Sequence, residues 1–158
     1  MSSQPPIPIE TAETFLTSEL EGVVPLSAWG EVSYFYNPGH KLKRGTYFAT
    51  IKQKDGNNDK GSSIDREGVW RLNIGLTKRT SQSLFGPNPD RPGKGGVVEG
   101  PWDFKQLDIL MPHPVYGWMS WVAVLNPSQQ TWEQCIPLIR DAHAKAKTGF
   151  EKRVSSGS

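Results

Sequence analysis

The stretch Val69-Trp-Arg-Leu-Asn-Ile-Gly-Leu76 alternates large apolar side chains with polar or smaller ones. A period of two is that of a β-strand, whose successive side chains point to opposite faces of the sheet. The apolar set, which we assign to the core, is Trp70, Leu72, Ile74 and Leu76. Arg71 and Asn73 must then project from the opposite face of the same strand.

Four further strands and three helices are predicted around this strand. The predicted strands are 32–36, 45–53, 69–76, 109–116 and 117–125, and the predicted helices are 10–21, a short one ending near Phe85 and a long one after Asn126. Thr77 and Asn126 are assigned as the N-caps of the last two helices, and Pro137 predicts a kink or split in the long one. The order is α-β-β-β-α-β-β-α. Short connections predict an antiparallel sheet of about five strands covered on one face by helices, an α+β two-layer sandwich.

The length of 158 residues corresponds to about one domain. Residues 9–153 are predicted to form it, with a flexible arm over 1–8 and a flexible tail over 154–158. The single cysteine, Cys135, excludes an intramolecular disulfide. No apolar run approaches the roughly 18 residues of a membrane span, and the N-terminus lacks a secretory signal pattern. We therefore predict a cytoplasmic protein with no membrane partner.

Basic residues are concentrated in the segment 39–79, which carries ten bases and four acids, although the net charge of the chain is only +2. One interpretation is a solvated sheet face that pairs with the acidic N-terminal helix. The other is a surface that attracts phosphates or nucleic acid. The cations that such a surface would use include Lys41, Lys43, Arg44, Lys78 and Arg79. Phosphate binding needs several converging cations, so the small net charge makes a nucleic-acid partner the weaker interpretation.

Three sequence motifs are Phe48-Ala-Thr-Ile-Lys-Gln-Lys-Asp55, Arg71-Leu-Asn-Ile-Gly75 and Met111-Pro-His-Pro-Val-Tyr-Gly-Trp-Met-Ser-Trp-Val-Ala-Val-Leu-Asn-Pro127. Together these motifs resemble a family of short bacterial and fungal proteins of unknown function, over most of residues 28–152. The His-Pro strand, the Trp-containing strand and the long last helix are similar, more distantly, to the MmcQ/YjbR-like fold. That resemblance implies a curved antiparallel sheet backed by helices. Some proteins of that group have been linked to DNA binding, but this chain departs from them in its long Gly/Pro loop. The resemblance implies no catalytic residues.

His113 and Asp108 are the predicted catalytic residues, in a cluster with Tyr116, Trp118 and Trp121. His113 lies between two prolines, which restrict its backbone, and a rigid imidazole beside a carboxylate suits general acid or base catalysis. Trp118 and Trp121 are three apart, so in one strand they would face opposite sides of the sheet. The alternative is that His113 and Tyr116 form hydrogen bonds with the loop, while the two tryptophans belong to the core.

Polar residues on one face of two neighbouring strands form the predicted binding set. Lys52 and Lys54 share a face of one strand, and Arg71 and Asn73 share a face of the next. If this side is concave, these side chains converge on an anionic or carbonyl-bearing ligand. A buried Arg71 would need a carboxylate, and Asp65 is the nearest in sequence. The alternative is a solvated face on which Asp55, Asp59 or Asp65 pair with these side chains.

The sequence as a whole predicts a domain that binds a small organic molecule between the sheet and the Gly/Pro-rich loop 86–101. His113 would act as acid or base, while Lys52, Lys54, Arg71, Asn73, Tyr116 and Trp118 would hold the ligand. The histidines lack metal-ligand spacing and no nucleotide motif is present, so we predict neither a metal nor a cofactor. Cofactor-independent isomerisation, cyclisation, dehydration or hydrolysis would then be accessible. A homodimer is compatible with this hypothesis and with the nucleic-acid alternative.

Overall fold

The computed structural model describes residues 4–156, and in this part of the chain six strands form an antiparallel sheet in the order β1-β2-β3-β4-β6-β5. The strands are β1 (Val23–Ala28), β2 (Glu31–Tyr36), β3 (Thr46–Lys52), β4 (Arg71–Gly75), β5 (Met111–Pro112) and β6 (Trp121–Leu125). The helices are α1 (Ile9–Thr14), α2 (Lys78–Phe85) and α3 (Gln129–Ser156), and α1 continues as a π-helical turn over Phe15–Glu19. The predicted α+β class with an antiparallel sheet is confirmed.

The main core lies between one face of the sheet and the helices α1 and α3. Leu72 and Ile74 of β4 are fully buried there, in one cluster with Leu16 and Ile139. Trp70 and Leu76, just outside the two ends of β4, belong to the same cluster. The apolar face predicted for residues 69–76 is therefore confirmed, and α3 covers β2, β3 and β4.

Both outer strands of the sheet contain a proline. β1, which the sequence analysis did not predict, lies at one edge and carries Pro25. Proline within an apolar run argues against an interior strand, and an edge is where it is tolerated. The predicted edge strand over 109–116 shortens to β5 at the opposite edge, where Pro112 pairs with Val122.

The predicted strand 117–125 begins only at Trp121. Gly117–Met119 form a 3₁₀ turn, and Ser120 has a left-handed φ of 71° before β6 starts. Trp118 and Trp121 therefore do not share a strand, and the prediction that they face opposite sides of one strand does not apply.

The long helix α3 starts two residues later than predicted and runs through Pro137 as one helix of 28 residues. Thr77 caps α2 as predicted, its Oγ1 accepting from Thr80 N. Asn126, however, is not the cap of α3. Its side chain accepts from Trp70 N (2.9 Å), and Ser128 Oγ accepts from Thr131 N at the helix start.

The two chain ends lie partly outside the described residues, which exclude 1–3 and 157–158 of the predicted arm and tail. Within the arm, Ile7 is buried in the main core and its N–H donates to Pro127 O (2.9 Å). Residues 154–156 are the last residues of α3. Among residues 4–156, no helix combines the length and apolarity needed to cross a membrane.

The opposite face of the sheet is covered only in part. Val98, Phe104 and Met111 form a small second apolar cluster over the β6–β5 side. Phe104 and Pro114 lie beside Ala123 of β6, around the same small gap. The face of β2 and β3, with part of β4, stays open. Most of the site residues predicted from the sequence lie on or beside this open face.

Candidate functional site

A cavity of about 340 Å³ lies on the open face of the sheet. Its floor comes from neighbouring strands whose register aligns Ser33 with Thr50 and Thr50 with Asn73. The residues that line the cavity are Glu31, Ser33, Phe35, Arg44, Tyr47, Thr50, Lys52, Asp59, Asn73, His113, Tyr116 and Trp121. This volume is at the lower end of the range for small-molecule sites. The strand period thus brings Lys52, Asn73 and the buried Arg71 to one face, as the sequence predicts.

Arg71 lies behind the wall of the cavity, where it is only 1% exposed and hydrogen-bonds to three neighbouring side chains. Its Nη1 donates to Asp59 Oδ1 (3.0 Å) and to Ser62 Oγ (3.0 Å), and its Nη2 donates to Asp59 Oδ2. Its Nε donates to Asn73 Oδ1 (2.7 Å). The guanidinium is therefore paired in the two-pronged geometry that arginine and carboxylate favour.

The carboxylate partner of Arg71 is Asp59, and the expectation of Asp65 is wrong. Asp65 Oδ1 instead accepts from Asp55 N at 3.1 Å. Burial alone would raise the pKa of Asp59. The hydrogen bonds and charge of Arg71 outweigh burial and leave the pKa of this carboxyl below its usual value. Asp59 is thus an ionised, fixed acceptor at the cavity wall.

His113 is buried beside this ion pair, and its ring orientation is set by the backbone. Its Nδ1 accepts from Val115 N and from Tyr116 N, both at 3.0 Å. Nδ1 thus has no lone pair left for a ligand, and the other ring nitrogen, Nε2, faces the ion pair of Arg71 and Asp59. That nitrogen lies 3.8 Å from Asp59 Oδ2.

The pKa of His113 is held well below the ordinary value, first by burial and then by the charge of Arg71, whose Nη2 is 3.1 Å from Nε2. The ring is therefore neutral near pH 7. One of its nitrogens is occupied by backbone donors, and the other lies within hydrogen-bond distance of the Arg71 guanidinium. Neither nitrogen is therefore free to act as a base toward a substrate in the cavity.

Asp108, the predicted carboxylate partner of His113, lies elsewhere. Its N–H donates to Leu125 O, at the end of β6, and its Oδ1 accepts from Ser128 N at the start of α3 (2.7 Å). His113 N donates to Trp121 O, at the beginning of β6. These two anchor points are four positions apart along β6, or about 13 Å at the rise of a β-strand. The pairing of His113 with Asp108 is corrected to His113 with Asp59.

Lys52 ends β3 inside the cavity, and the residue is only 7% exposed. Within residues 4–156 its ammonium makes no hydrogen bond, and the nearest carboxylate oxygen is Glu31 Oε1 at 3.6 Å. Lys54, predicted to act with Lys52, is exposed and does not line the cavity. β3 has already ended at Lys52, so the strand alternation does not extend to Lys54.

Aromatic rings form the other side of the cavity. Tyr47 lies 5.3 Å from Trp121 and 5.7 Å from Phe35, measured between ring centroids. The half-exposed ring of Tyr116 packs on His113 at 5.0 Å. A planar or apolar ligand body would therefore find stacking partners opposite the polar floor.

Trp118 and the loop 86–101 border a different hollow. The Arg91 guanidinium lies over the Trp118 ring, 4.9 Å from its centroid. Arg91, Lys94 and Trp118 line this second hollow, and Tyr116 is the residue that it shares with the cavity. No residue of 86–101 lines the cavity itself. The expectation of a pocket beneath that loop is corrected to a cavity bordered by Asp59 and His113.

Sequence reasoning did not assign Asp59, Glu31 or Tyr47 to the site, and it named Asp59 only as a partner on a solvated face. Tyr47 faces the cavity because the β2–β3 register shifts between Tyr34 and Phe35, which interrupts the alternation on β3. Asp59 lies on the irregular connection between β3 and β4, where side-chain directions do not alternate as they do in a strand. Its signal was indirect, since a buried arginine requires a carboxylate.

Within residues 4–156, no group of three or more His, Cys, Asp or Glu side chains has the arrangement of a metal site. The comparison with curated proteins gives no match, and the comparison with solved structures gives none either. The similarity to the MmcQ/YjbR-like fold therefore stays a prediction. One family of unknown function, DUF6194, matches residues 7–155, which is nearly the whole chain. This protein belongs to that family.

Proposed function

We propose that this protein binds a small organic anion in the cavity on the open face of the sheet. The observation that carries the proposal is Lys52, a largely buried side chain whose ammonium opens into the cavity, lies 3.6 Å from Glu31 Oε1 and makes no hydrogen bond within residues 4–156. Its N–H donors are therefore free on the cavity side, and a ligand carboxylate or phosphate could accept from them.

The charge balance of the lining supports an anionic ligand. Asp59 is neutralised by Arg71, which leaves Lys52 and Arg44 against the single carboxylate of Glu31. Thr50 Oγ1 accepts from Asn73 Nδ2 (2.8 Å), so its own hydroxyl hydrogen is directed elsewhere and is available to a ligand oxygen. These groups lie on adjacent strands, which hold them at fixed spacing.

The aromatic side of the cavity supports a ligand with a planar or apolar body. Tyr47 and Trp121 contact each other there, and Tyr116 closes the side near His113. Proton transfer by His113 is not part of the proposal, because backbone N–H groups occupy Nδ1 and the Arg71 guanidinium faces Nε2 at 3.1 Å. His113 instead positions the backbone of Val115 and Tyr116, whose N–H groups donate to its Nδ1.

Lys52→Met is expected to weaken the binding of benzoate, phenylacetate and phenyl phosphate about tenfold to a hundredfold, the effect of losing a charge-assisted hydrogen bond. The measurement is the change in the Trp121 indole N–H resonance during titration. Lys54→Met is the matched control, because it removes the same charge two residues away and outside the cavity, and it should bind as the wild type does. Benzamide, the neutral counterpart of benzoate, should bind more weakly than benzoate.

Two outcomes would contradict the proposal. One is that none of the three anions perturbs Trp121 at millimolar concentration. The other is that Lys52→Met and Lys54→Met bind equally well. Binding of single-stranded DNA that weakens steeply with salt would instead favour the nucleic-acid alternative. Two cations of the basic segment, Lys52 and Arg71, are buried and so do not contribute to such a surface.

A further inference from the structure

A further hollow of about 470 Å³, separate from the one bordered by Arg91 and Trp118, adjoins the cavity at the end of the sheet where β3 begins and β4 ends. Its lining is mainly apolar or small, and the residues that matter here are Tyr47, Phe48, Trp121, Ala142, Ala146 and Gly149. We call it the α3 groove, because α3 supplies its small side chains. Lys145 lies at the rim of the groove, and its Nζ donates a hydrogen bond to Leu76 O (2.9 Å).

The α3 groove and the cavity share two lining residues, Tyr47 and Trp121. Trp121 lies flat on Gly75, where an added Cβ would come within 2.7 Å of the indole ring. Tyr47, on β3, is 49% exposed, and its ring contacts the Trp121 ring. The boundary between the α3 groove and the cavity thus consists of the Trp121 ring, packed on Gly75, and the half-exposed Tyr47 ring.

We propose that the α3 groove holds the apolar chain of the same ligand whose anionic group binds Lys52. The inference rests on the proposed function and names its ligand class, which is an extended amphipathic carboxylate. The polar floor and Lys52 lie on one side of the Tyr47–Trp121 boundary, and the apolar side chains of the groove lie on the other. A ligand that spans both would bury its chain against Phe48 and α3 while its carboxylate meets the ammonium.

Gly149 gives a way to fill the α3 groove without touching the cavity. It lies inside α3, and an added Cβ would meet nothing closer than Thr46 Cγ2 at 4.0 Å. Alanine therefore fits there, and a larger side chain would project into the groove. Replacement of an interior helical glycine also favours the helix, so the variants should fold.

The test compares butanoate, octanoate and decanoate in the wild type, Gly149→Leu and Gly149→Ala. In the wild type, affinity should rise by up to about fourfold for each methylene group that enters the groove. Gly149→Leu should remove most of this gain while leaving butanoate binding unchanged, and Gly149→Ala should behave as the wild type does. Titration of the Trp121 indole resonance reports all nine affinities, and circular dichroism melts check folding.

The same titrations with Lys52→Met and Lys152→Met separate the groove inference from the proposed function. If Lys52→Met weakens butanoate and decanoate but affinity does not depend on chain length, the groove inference is overturned and the proposed function stands. The same holds if Gly149→Leu retains the full gain with chain length. If Lys152→Met, at the rim of the groove, weakens decanoate and Lys52→Met does not, the ligand lies in the reverse direction and the inference is wrong. If no carboxylate depends on Lys52, the proposed function itself fails.

Discussion

Asp59→Ala is expected to lower the free energy of unfolding by about 3–5 kcal/mol, the cost of leaving a buried charge without its partner. Arg71, which is 1% exposed, would lose the two Asp59 oxygens that accept from its Nη1 and Nη2 groups. Ser62 and Asn73 would still accept from it, but neither carries a charge. The measurement is urea denaturation at pH 7, followed by tryptophan fluorescence.

Two further variants test this explanation. Asp65→Ala removes a carboxylate from the same connection, and it should cost less than about 1 kcal/mol because its bond to Asp55 N is exposed. Asp59→Ala combined with Arg71→Met removes both charges and should recover much of the lost stability. If the double variant is as unstable as Asp59→Ala alone, an unpaired Arg71 is not the cause.

Stability is expected to fall as the pH is lowered from 7 to 5, because His113 resists protonation only in the folded state. Burial and Arg71 hold its pKa well below 6.5 in the fold, whereas the unfolded chain protonates near 6.5. Below that pH the unfolded state binds more protons, so acid favours unfolding. One such proton corresponds to at most about 1.4 kcal/mol per pH unit, or about 2 kcal/mol in total by pH 5.

His113→Asn is the variant that isolates this effect. The Asn Oδ1 occupies nearly the position of the imidazole Nδ1, so it can accept from Val115 N and Tyr116 N, but it does not titrate. Its stability should depend on pH less steeply than that of the wild type, by at most one proton below pH 6.5. Equal slopes for the two proteins would mean that His113 is not the titrating group. Asp59, whose pKa is lowered, loses its stabilising contribution only at lower pH, around and below 3.8.

The parts of the site that could be predicted from sequence are those governed by the strand period. Arg71 and Asn73 fall two apart on a strand with an unambiguous apolar face, so their shared direction follows from chain geometry. Lys52 joins them because β3 pairs with β4 and aligns Lys52 with Arg71. Lys54 was assigned by extending the same period past the last residue of β3, where it no longer holds.

The parts that could not be predicted depend on long-range packing. Asp59 reaches Arg71 from an irregular connection, and Asp108 is drawn to the start of α3 instead of to His113. Sequence distance favoured Asp65 for the first pair and Asp108 for the second, and proximity along the chain does not fix proximity in space. The shift in register that turns Tyr47 toward the cavity is likewise set by the pairing of β2 with β3.

The prolines in the two outer strands limit how this protein can associate with other chains. A strand that adds to a sheet edge needs a row of backbone N–H donors, and proline supplies none. Pro25 interrupts that row in β1, and Pro112 is one of only two residues in β5. Neither edge therefore provides a continuous template for a further strand, which protects the sheet against edge-to-edge aggregation. A second copy of this chain would have to associate through side chains on another surface.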